Sequence, residues 1–301
     1  MRMSIVIVNW NTEALLRQCL ASILAHPPEG DYEVVVVDNA STDGSVAMVR
    51  DEFPSVTLLA NEKNAGFAAG NNLAMEASTA DMVLLLNSDT VVRPGALETL
   101  RQFMERHPEA GAAGARLLNP DGSLQPSCFP LPTLLSEGMH LFHLDHRRRR
   151  VMHEWDVSQP RRVDVLLGAC MLLRREAVAQ VGLLDEGYFM YSEEVDYCRR
   201  LQEAGWALYW VPEAEVVHYG GQSTRQVATE MFLRLYAGKL RYFRKHEGAR
   251  AGRIYKLILF AAALFRLLLV PLALLAPAPK RQEQLSLAQR YLKLVSVLPQ
   301  Y

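Results

Sequence analysis

Tyr32-Glu33-Val34-Val35-Val36-Val37-Asp38-Asn39-Ala40-Ser41-Thr42-Asp43-Gly44 decides the fold class. The run up to Val37 has the pattern of a strand covered on both faces, as in parallel sheets. The polar run that closes it reads as a loop and a helix cap. The same alternation extends in both directions. Met3 to Val8 is apolar and β-rich, and Thr12 to Leu24 sets Leu15, Leu16, Cys19, Leu20, Ile23 and Leu24 along one side of a helix. Downstream, Val56 to Ala60 reads as a strand, Ala65 to Ala77 as a glycine-opened helix, and Met82 to Leu86 as a fourth strand. Pro94 opens a further helix at a first-turn position and carries it to about His107. Strands and helices in turn predict an α/β fold with a doubly wound, mostly parallel sheet and helices on both faces.

The chain has 301 residues, 50% hydrophobic and 22% charged, which is room for one large α/β domain or two smaller ones. Lys plus Arg is 32 and Asp plus Glu is 33, a formal net charge of −1. That balance argues against a protein that works by neutralising nucleic-acid phosphates. The composition also excludes disordered, collagen-like and disulfide-stapled classes. None of the four cysteines, Cys19, Cys128, Cys170 and Cys198, forms a CxxC pair, and each is expected as a reduced, mostly buried thiol. The chain enters its first strand at once, without the layout of a signal peptide, so a cytoplasmic location is expected.

Between Asn119 and Arg162 the rhythm breaks. Four prolines fall between Pro120 and Pro132, and Arg147 to Arg150 are arginines in succession. That basic run reads as a solvated loop or as a contact for an anionic membrane or acceptor. Strand character resumes from Val163 to Leu173, a helix is expected near Glu193 to Ala204, and short apolar runs end at His218. From Val227 a long helical segment leads into Leu257 to Ala276, apolar apart from Arg266 and Pro271. An arginine in mid-span costs about 2.5–3.5 kcal/mol on insertion scales. The expectation is therefore an interfacial helix or hairpin on a membrane surface, ahead of a true span or a buried helix. The domain reading is 1–225, with halves 1–118 and 119–225, followed by a C-terminal helical extension, 226–301.

In open parallel sheets, ligands bind beyond the carboxyl ends of the strands. Asn9 stands there after the first strand and Asp38 after the second. Asn61, Asn64, Gly66 and Asn71 follow the third, and Asn87-Ser88-Asp89 the fourth. Turns and caps use the same residue types, and Asn64-Ala65-Gly66 lacks the GxGxxG spacing of a dinucleotide site. A carboxylate two residues beyond an apolar strand, as at Asp89, offers a hard oxygen ligand to a divalent cation bridging a diphosphate. Tyr191-Ser192-Glu193-Glu194-Val195-Asp196 opens a helix. Its acids suit the helix dipole, or supply a general base whose pKa partial burial raises. His218 joins a metal site only if it faces Asp89.

Taken together, these segments resemble family 2 glycosyltransferases, and most of all their bacterial rhamnosyltransferase-like branch. Ser4 to Asn11, Val37 to Gly44, Asn64 to Asn72 and Leu86 to Asp89 carry the resemblance in the nucleotide-sugar half. Gly168 to Met171, Phe189 to Asp196 and Val217 to Gly221 carry it in the acceptor half. The resemblance implies a GT-A fold and an inverting transfer from a nucleoside diphosphate sugar, with Mg²⁺ or Mn²⁺ as cofactor. The implied donor is dTDP-rhamnose first and a UDP-hexose second, and the acceptor is lipid-linked or a polysaccharide.

Carried over by position, Asn9 and Asp38 hold the nucleobase or ribose region, and Asn64, Gly66, Asn71, Asn87 and Ser88 complete the donor site. Asp89 and His218 are the implied metal ligands. Glu194 is the implied base, with Glu193 and Asp196 as alternates. Asn87 stands where the family's DxD motif has its first acid, so the metal site has one charge fewer. With the apolar tail, this puts the enzyme on the inner face of the cell membrane, peripherally attached. Two other classes fit less of the chain. A non-catalytic nucleotide-sugar or glycan-binding module has no need of the Glu193-Glu194-Asp196 cluster. A sugar-nucleotide nucleotidyltransferase wants a glycine-rich loop with a basic residue, and Asn9-Trp10-Asn11-Thr12 offers neither.

Overall fold

The computed structural model describes residues 1–144, 152, 155–273 and 277–301. The arginine run at 147–150 lies outside the described residues, as do the last three positions of the 257–276 stretch. In chain order the first half forms β1 (Met3–Asn9), α1 (Glu13–Ala25), β2 (Tyr32–Asp38), α2 (Ser45–Glu52), β3 (Thr57–Ala60), α3 (Phe67–Ala77), β4 (Met82–Asn87), β5 (Thr90–Val92), α4 (Ala96–Arg106) and β6 (Ala110–Leu118). Then follow β7 (Cys128–Phe129), α5 (Leu134–Leu141), β8 (Arg161–Arg162), β9 (Val165–Leu166), β10 (Cys170–Arg174), α6 (Arg175–Val181), α7 (Glu193–Glu203), β11 (Ala207–His218) and α8 (Gln222–Arg225). The chain ends with α9 (Ala228–Leu268), α10 (Val270–Ala273) and α11 (Ala278–Val297). Because α4 starts at Ala96, Pro94 belongs to the preceding turn and not to the helix.

The described residues divide into two compact units. The first holds the sheet, in the order β3-β2-β1-β4-β10-β6-β11-β5, with β8 paired to β11. Strands β3, β2, β1 and β4 are mutually parallel. Strand β10 then enters antiparallel to both β4 and β6, while β11 runs parallel to β6 and antiparallel to β5. Alternation within the apolar runs covers both faces. Ile5, Ile7, Val34, Val36, Leu84 and Leu86 pack under α1 and α4, and Val6, Val35, Val37, Val83 and Leu85 pack under α3, α6 and α7. All four cysteines are free and buried, and burial pushes their thiols up to about 12.

The second unit consists of α5, the short segment Met190–Ser192 and the C-terminal helices from Val227 on. Helix α9 breaks at Gly248, where φ is 87°. Glu137 on α5, only 3% exposed, accepts a bond from Lys239 Nζ at 2.6 Å. The ring of Phe232 meets Tyr236 and Tyr291 edge-on at 5.0 and 5.1 Å. Leu259, Ala262, Ala263 and Leu294 are fully buried in this unit. Ile254, Leu257, Phe260, Leu264, Phe265 and Leu268 are exposed, and Arg250 and Arg253 continue their stripe toward the N-terminus of α9. The apolar stretch is thus a two-faced helix: one face packs inside the unit and the other stays uncovered. Among the described residues no helix is long and apolar enough to cross a membrane.

Candidate active site

Register brings the ends of the parallel strands level. Asn9 pairs with Asp38, Val8 with Asn87, and Asp38 with Ala60. Asn9 Nδ2 donates to Asp38 Oδ2 at 2.9 Å, and Ser41 N donates to Asp38 Oδ1 at 2.8 Å. Thr12 Oγ1 donates to Asn9 Oδ1 at 2.7 Å and lies 3.0 Å from Ser88 Oγ. A continuous chain of polar contacts therefore runs from the tip of β2 across β1 to the loop after β4. Its members are buried, Asn9 at 0% and Asp38 at 1% exposure. Polar groups so deeply buried persist because each has a partner, and together they fix the shape of the strand-end edge.

Asn64 and Gly66 act on the backbone. Asn64 Oδ1 accepts from Gly66 N at 3.0 Å, and Phe67 N donates to Phe189 O at 2.8 Å. Gly66 has φ 89°, and any Cβ there would collide with the Phe189 carbonyl. This glycine lets the start of α3 approach the segment that leads into the acidic helix α7. Asn71 points elsewhere: it is buried, and its Nδ2 donates to Phe67 O at 2.8 Å, one turn back in α3.

Antiparallel pairing of β11 with β5 sets His218 opposite Thr90 and brings its ring to the loop after β4. His218 Nε2 stands 3.3 Å from Asp89 Oδ1 and 3.3 Å from Asn87 Nδ2. Its other nitrogen, Nδ1, is 2.6 Å from Gln125 Oε1. Gln125 Nε2 donates to His218 O at 3.1 Å and to Asn119 Oδ1 at 2.9 Å, which orients the amide so that its oxygen accepts from Nδ1–H. In the neutral ring Nε2 then carries a lone pair that accepts from Asn87 Nδ2, with Asp89 Oδ1 beside it. Two acceptors 3.3 Å apart call for a proton or a divalent cation beside them. Asp89 Oδ2 also accepts from Gln222 N at 3.4 Å. The described residues contain no group of three His, Cys, Asp or Glu arranged for a metal. Two protein ligands plus substrate phosphates is the usual way Mg²⁺ is held, so this donor set fits such an ion.

The acids that open α7 occupy three different environments. Asp196 is fully buried and accepts from Arg200 Nε at 2.9 Å, while the same guanidinium donates to Val181 O and Leu183 O. That ion pair ties α7 to the end of α6, so Asp196 is structural in its contacts. Glu193 is 4% exposed, and burial first, then the neighbouring Glu194, push its carboxyl well above the ordinary glutamate range. Glu194 is half-buried and lies beside Gly168, whose Cβ would sit 3.7 Å from Glu194 Cβ.

A model of the family described as "Glycosyltransferase like family 2" matches residues 2–237. The chain belongs to that family. An N-acetylglucosaminyl-diphospho-decaprenol L-rhamnosyltransferase of Mycobacterium tuberculosis is 34% identical, the match covering 73% of this chain and 76% of the relative. A rhamnosyltransferase of Escherichia coli K12 is 25% identical over 76% of this chain and 87% of its own. A mannosyltransferase from Pyrobaculum calidifontis, solved with GDP-Man and Mn²⁺, superposes with a TM-score of 0.56 at 19% identity, covering 98% of this chain and 86% of that one. That superposition speaks for the fold, which is GT-A.

In this glycosyltransferase several supporting residues carry no signature of their own. Gln125 sits in the proline-rich loop after β6, and only the folded chain shows that it sets the tautomer of His218. Thr12 and Ser41, which link Asn9 to Ser88 and Asp38, read in the sequence as the start of a helical run and as part of a polar loop. Their one signal is position, since both fall within four residues of a strand's carboxyl end.

Proposed function

We propose that this glycosyltransferase moves a sugar, rhamnose first among the candidates, from a nucleoside diphosphate donor to a lipid-linked or polysaccharide acceptor, with inversion at the anomeric carbon. The observation that supports it most is the meeting of Asp89 with His218, beside Asn87 and one loop from the Asn9–Asp38 edge. Asn9 and Asp38 take the nucleoside end, with Asn64 and Gly66 shaping the wall beside it. Asp89 and His218 would hold Mg²⁺ or Mn²⁺, which supplies charge against the departing diphosphate. Asn71 supports the site from within α3.

Glu194 accepts the proton of the acceptor hydroxyl while that oxygen forms its bond to the anomeric carbon. The bond from that carbon to the diphosphate oxygen breaks on the opposite face, and the diphosphate leaves with the electron pair. One carboxylate suffices, because no covalent sugar intermediate forms. The relatives named as rhamnosyltransferases, one of them for a diphospho-decaprenol-linked sugar, support the choice of sugar and acceptor. The test is transfer from a panel of nucleoside diphosphate sugars to a polyprenyl-diphosphate-linked amino sugar, with proton NMR of the product. Expected is one preferred donor, dTDP-rhamnose, and a product anomer opposite to the donor's. A product that keeps the donor's anomeric configuration overturns the mechanism.

The same proposal includes peripheral attachment to the inner face of the cell membrane. The uncovered stripe Ile254, Leu257, Phe260, Leu264 and Leu268, with Arg250 and Arg253 in line with it, has the make-up of an interfacial helix on an anionic surface. Replacing Leu257, Leu264 and Leu268 together by Glu is expected to abolish co-sedimentation with phosphatidylglycerol vesicles. Failure of the unaltered protein to sediment with those vesicles would remove the attachment.

A further inference from the structure

Asn61 follows the last residue of β3, and its backbone N donates to Asp38 O at 2.8 Å. It therefore stands directly beside the Asn9–Asp38 edge, within the same compact unit. Its side chain is tied to Asn39, which is only 2% exposed and whose own N donates to Asn9 O at 2.9 Å. The Asn39 amide bridges two neighbours: one of its atoms lies 3.0 Å from Gly66 O, the other 2.8 Å from the Asn61 amide. A carbonyl oxygen only accepts, so the atom facing Gly66 is Nδ2 and Asn39 Oδ1 faces Asn61. Asn61 must then turn its Nδ2 toward Asn39. Its Oδ1 is left on the far side of the amide, on a half-buried residue, and among the described residues no group donates to it. The bare backbone of Gly70 closes the seat, since a Cβ there would lie 3.3 Å from Asn39 Nδ2 and 2.9 Å from Val8 Cγ1.

We propose that Asn61 is a specificity-determining residue of the donor site: its carbonyl oxygen, locked outward by the Asn39 relay, accepts from the ring N–H of a uracil or thymine base. The proposal rests on the reading of Asn9 and Asp38 as the nucleoside end. Uracil and thymine carry a hydrogen on N3, whereas cytosine, a ring of the same size, carries a lone pair there. A fixed acceptor bonds the first and repels the second. An amide free to turn would offer its NH₂ to cytosine and lose the distinction. Asn61 lacks that freedom. Turning it over would set its oxygen against Asn39 Oδ1 with no proton between them, and turning Asn39 as well would set oxygen against Gly66 O. A site built round one hydrogen-bonding group rejects the wrong ligand because that ligand leaves the group unpaired.

The test is calorimetric binding of UDP, dTDP, CDP and GDP to the full chain at one fixed Mn²⁺ concentration. UDP and dTDP are expected to bind about tenfold or more tightly than CDP. Asn61→Leu keeps the size of the side chain and removes the acceptor. It should weaken UDP and bring UDP and CDP within threefold of each other. Asn39→Leu leaves Asn61 in place but frees its amide, so the two affinities should again converge; this variant decides the matter where Asn61→Leu does not fold. Equal affinity for UDP and CDP in the unaltered protein overturns the proposal, as does a preference for CDP or GDP, and either result leaves the donor site standing. A tenfold preference that survives in either variant overturns it too, because another group then reads the base. Binding of none of the four nucleotides would remove the nucleoside reading of Asn9 and Asp38 together with the proposal.

Discussion

Glu194→Gln is expected to lower kcat by about 10²–10⁴ while the donor's dissociation constant stays within about twofold. Glutamine keeps the shape and the half-buried position of the side chain but cannot take a proton at working pH. A loss of that size corresponds to about 3–5 kcal/mol at the barrier, all of it in the chemical step. Stopped-flow or calorimetric donor binding, set beside steady-state turnover, separates the two effects. Turnover within tenfold of the unaltered enzyme would refute the assignment. Glu193→Gln supplies the contrast. The Glu193 carboxyl is buried and its pKa raised, so the folded chain binds its proton more tightly than the unfolded chain does. Stability contributed by that group is complete below the ordinary glutamate range and is lost as pH rises through the raised value. A glutamine is neutral throughout. Glu193→Gln should therefore keep most of its turnover and melt at a higher temperature than the unaltered protein at alkaline pH.

The difference between these two neighbours marks where sequence reading stops. That α7 opens with acids was visible, and so was the strand-end edge, because an apolar run closed by Asn or Asp says both that a strand is buried and where it ends. Which acid faces solvent depends on how α7 rolls against β9 and β11, and spacing alone does not report that. Asp196 was closer to legible, since Arg200 lies four residues on, one helical turn away. The placement of Asn71 was not legible for a local reason: an amide inside a helix can satisfy itself on the carbonyl one turn back, as it does at Phe67. The antiparallel entry of β10 was illegible because an apolar run carries no direction. The expectation for 257–276 named an interfacial helix. The fold adds that one face of that helix, at Leu259, Ala262 and Ala263, is spent on packing within its own unit.

Asp89→Asn should abolish the ability of Mn²⁺ to tighten donor binding. The contact between Asp89 Oδ1 and His218 Nε2 at 3.3 Å admits two interpretations. If the ring is an imidazolium, the pair is an ordinary buried ion pair: its loss destabilises the fold, and donor affinity is indifferent to metal. If the ring is neutral, the Gln125 contact holds its one proton on Nδ1, and the carboxylate and the Nε2 lone pair form half of a cation site that a donor diphosphate completes. Calorimetry with and without Mn²⁺ separates the two. In the second case the unaltered protein binds donor on the order of tenfold to a hundredfold more tightly with Mn²⁺, and Asp89→Asn binds equally in both conditions. Asn87→Asp then restores a second carboxylate beside His218 Nε2 and should raise Mn²⁺ affinity above that of the unaltered protein, because the added charge faces the same point. An unaltered protein whose donor affinity ignores Mn²⁺ would assign Asp89 and His218 to structure alone and leave diphosphate departure to hydrogen-bond donors such as Gln222 N, 3.4 Å from Asp89 Oδ2.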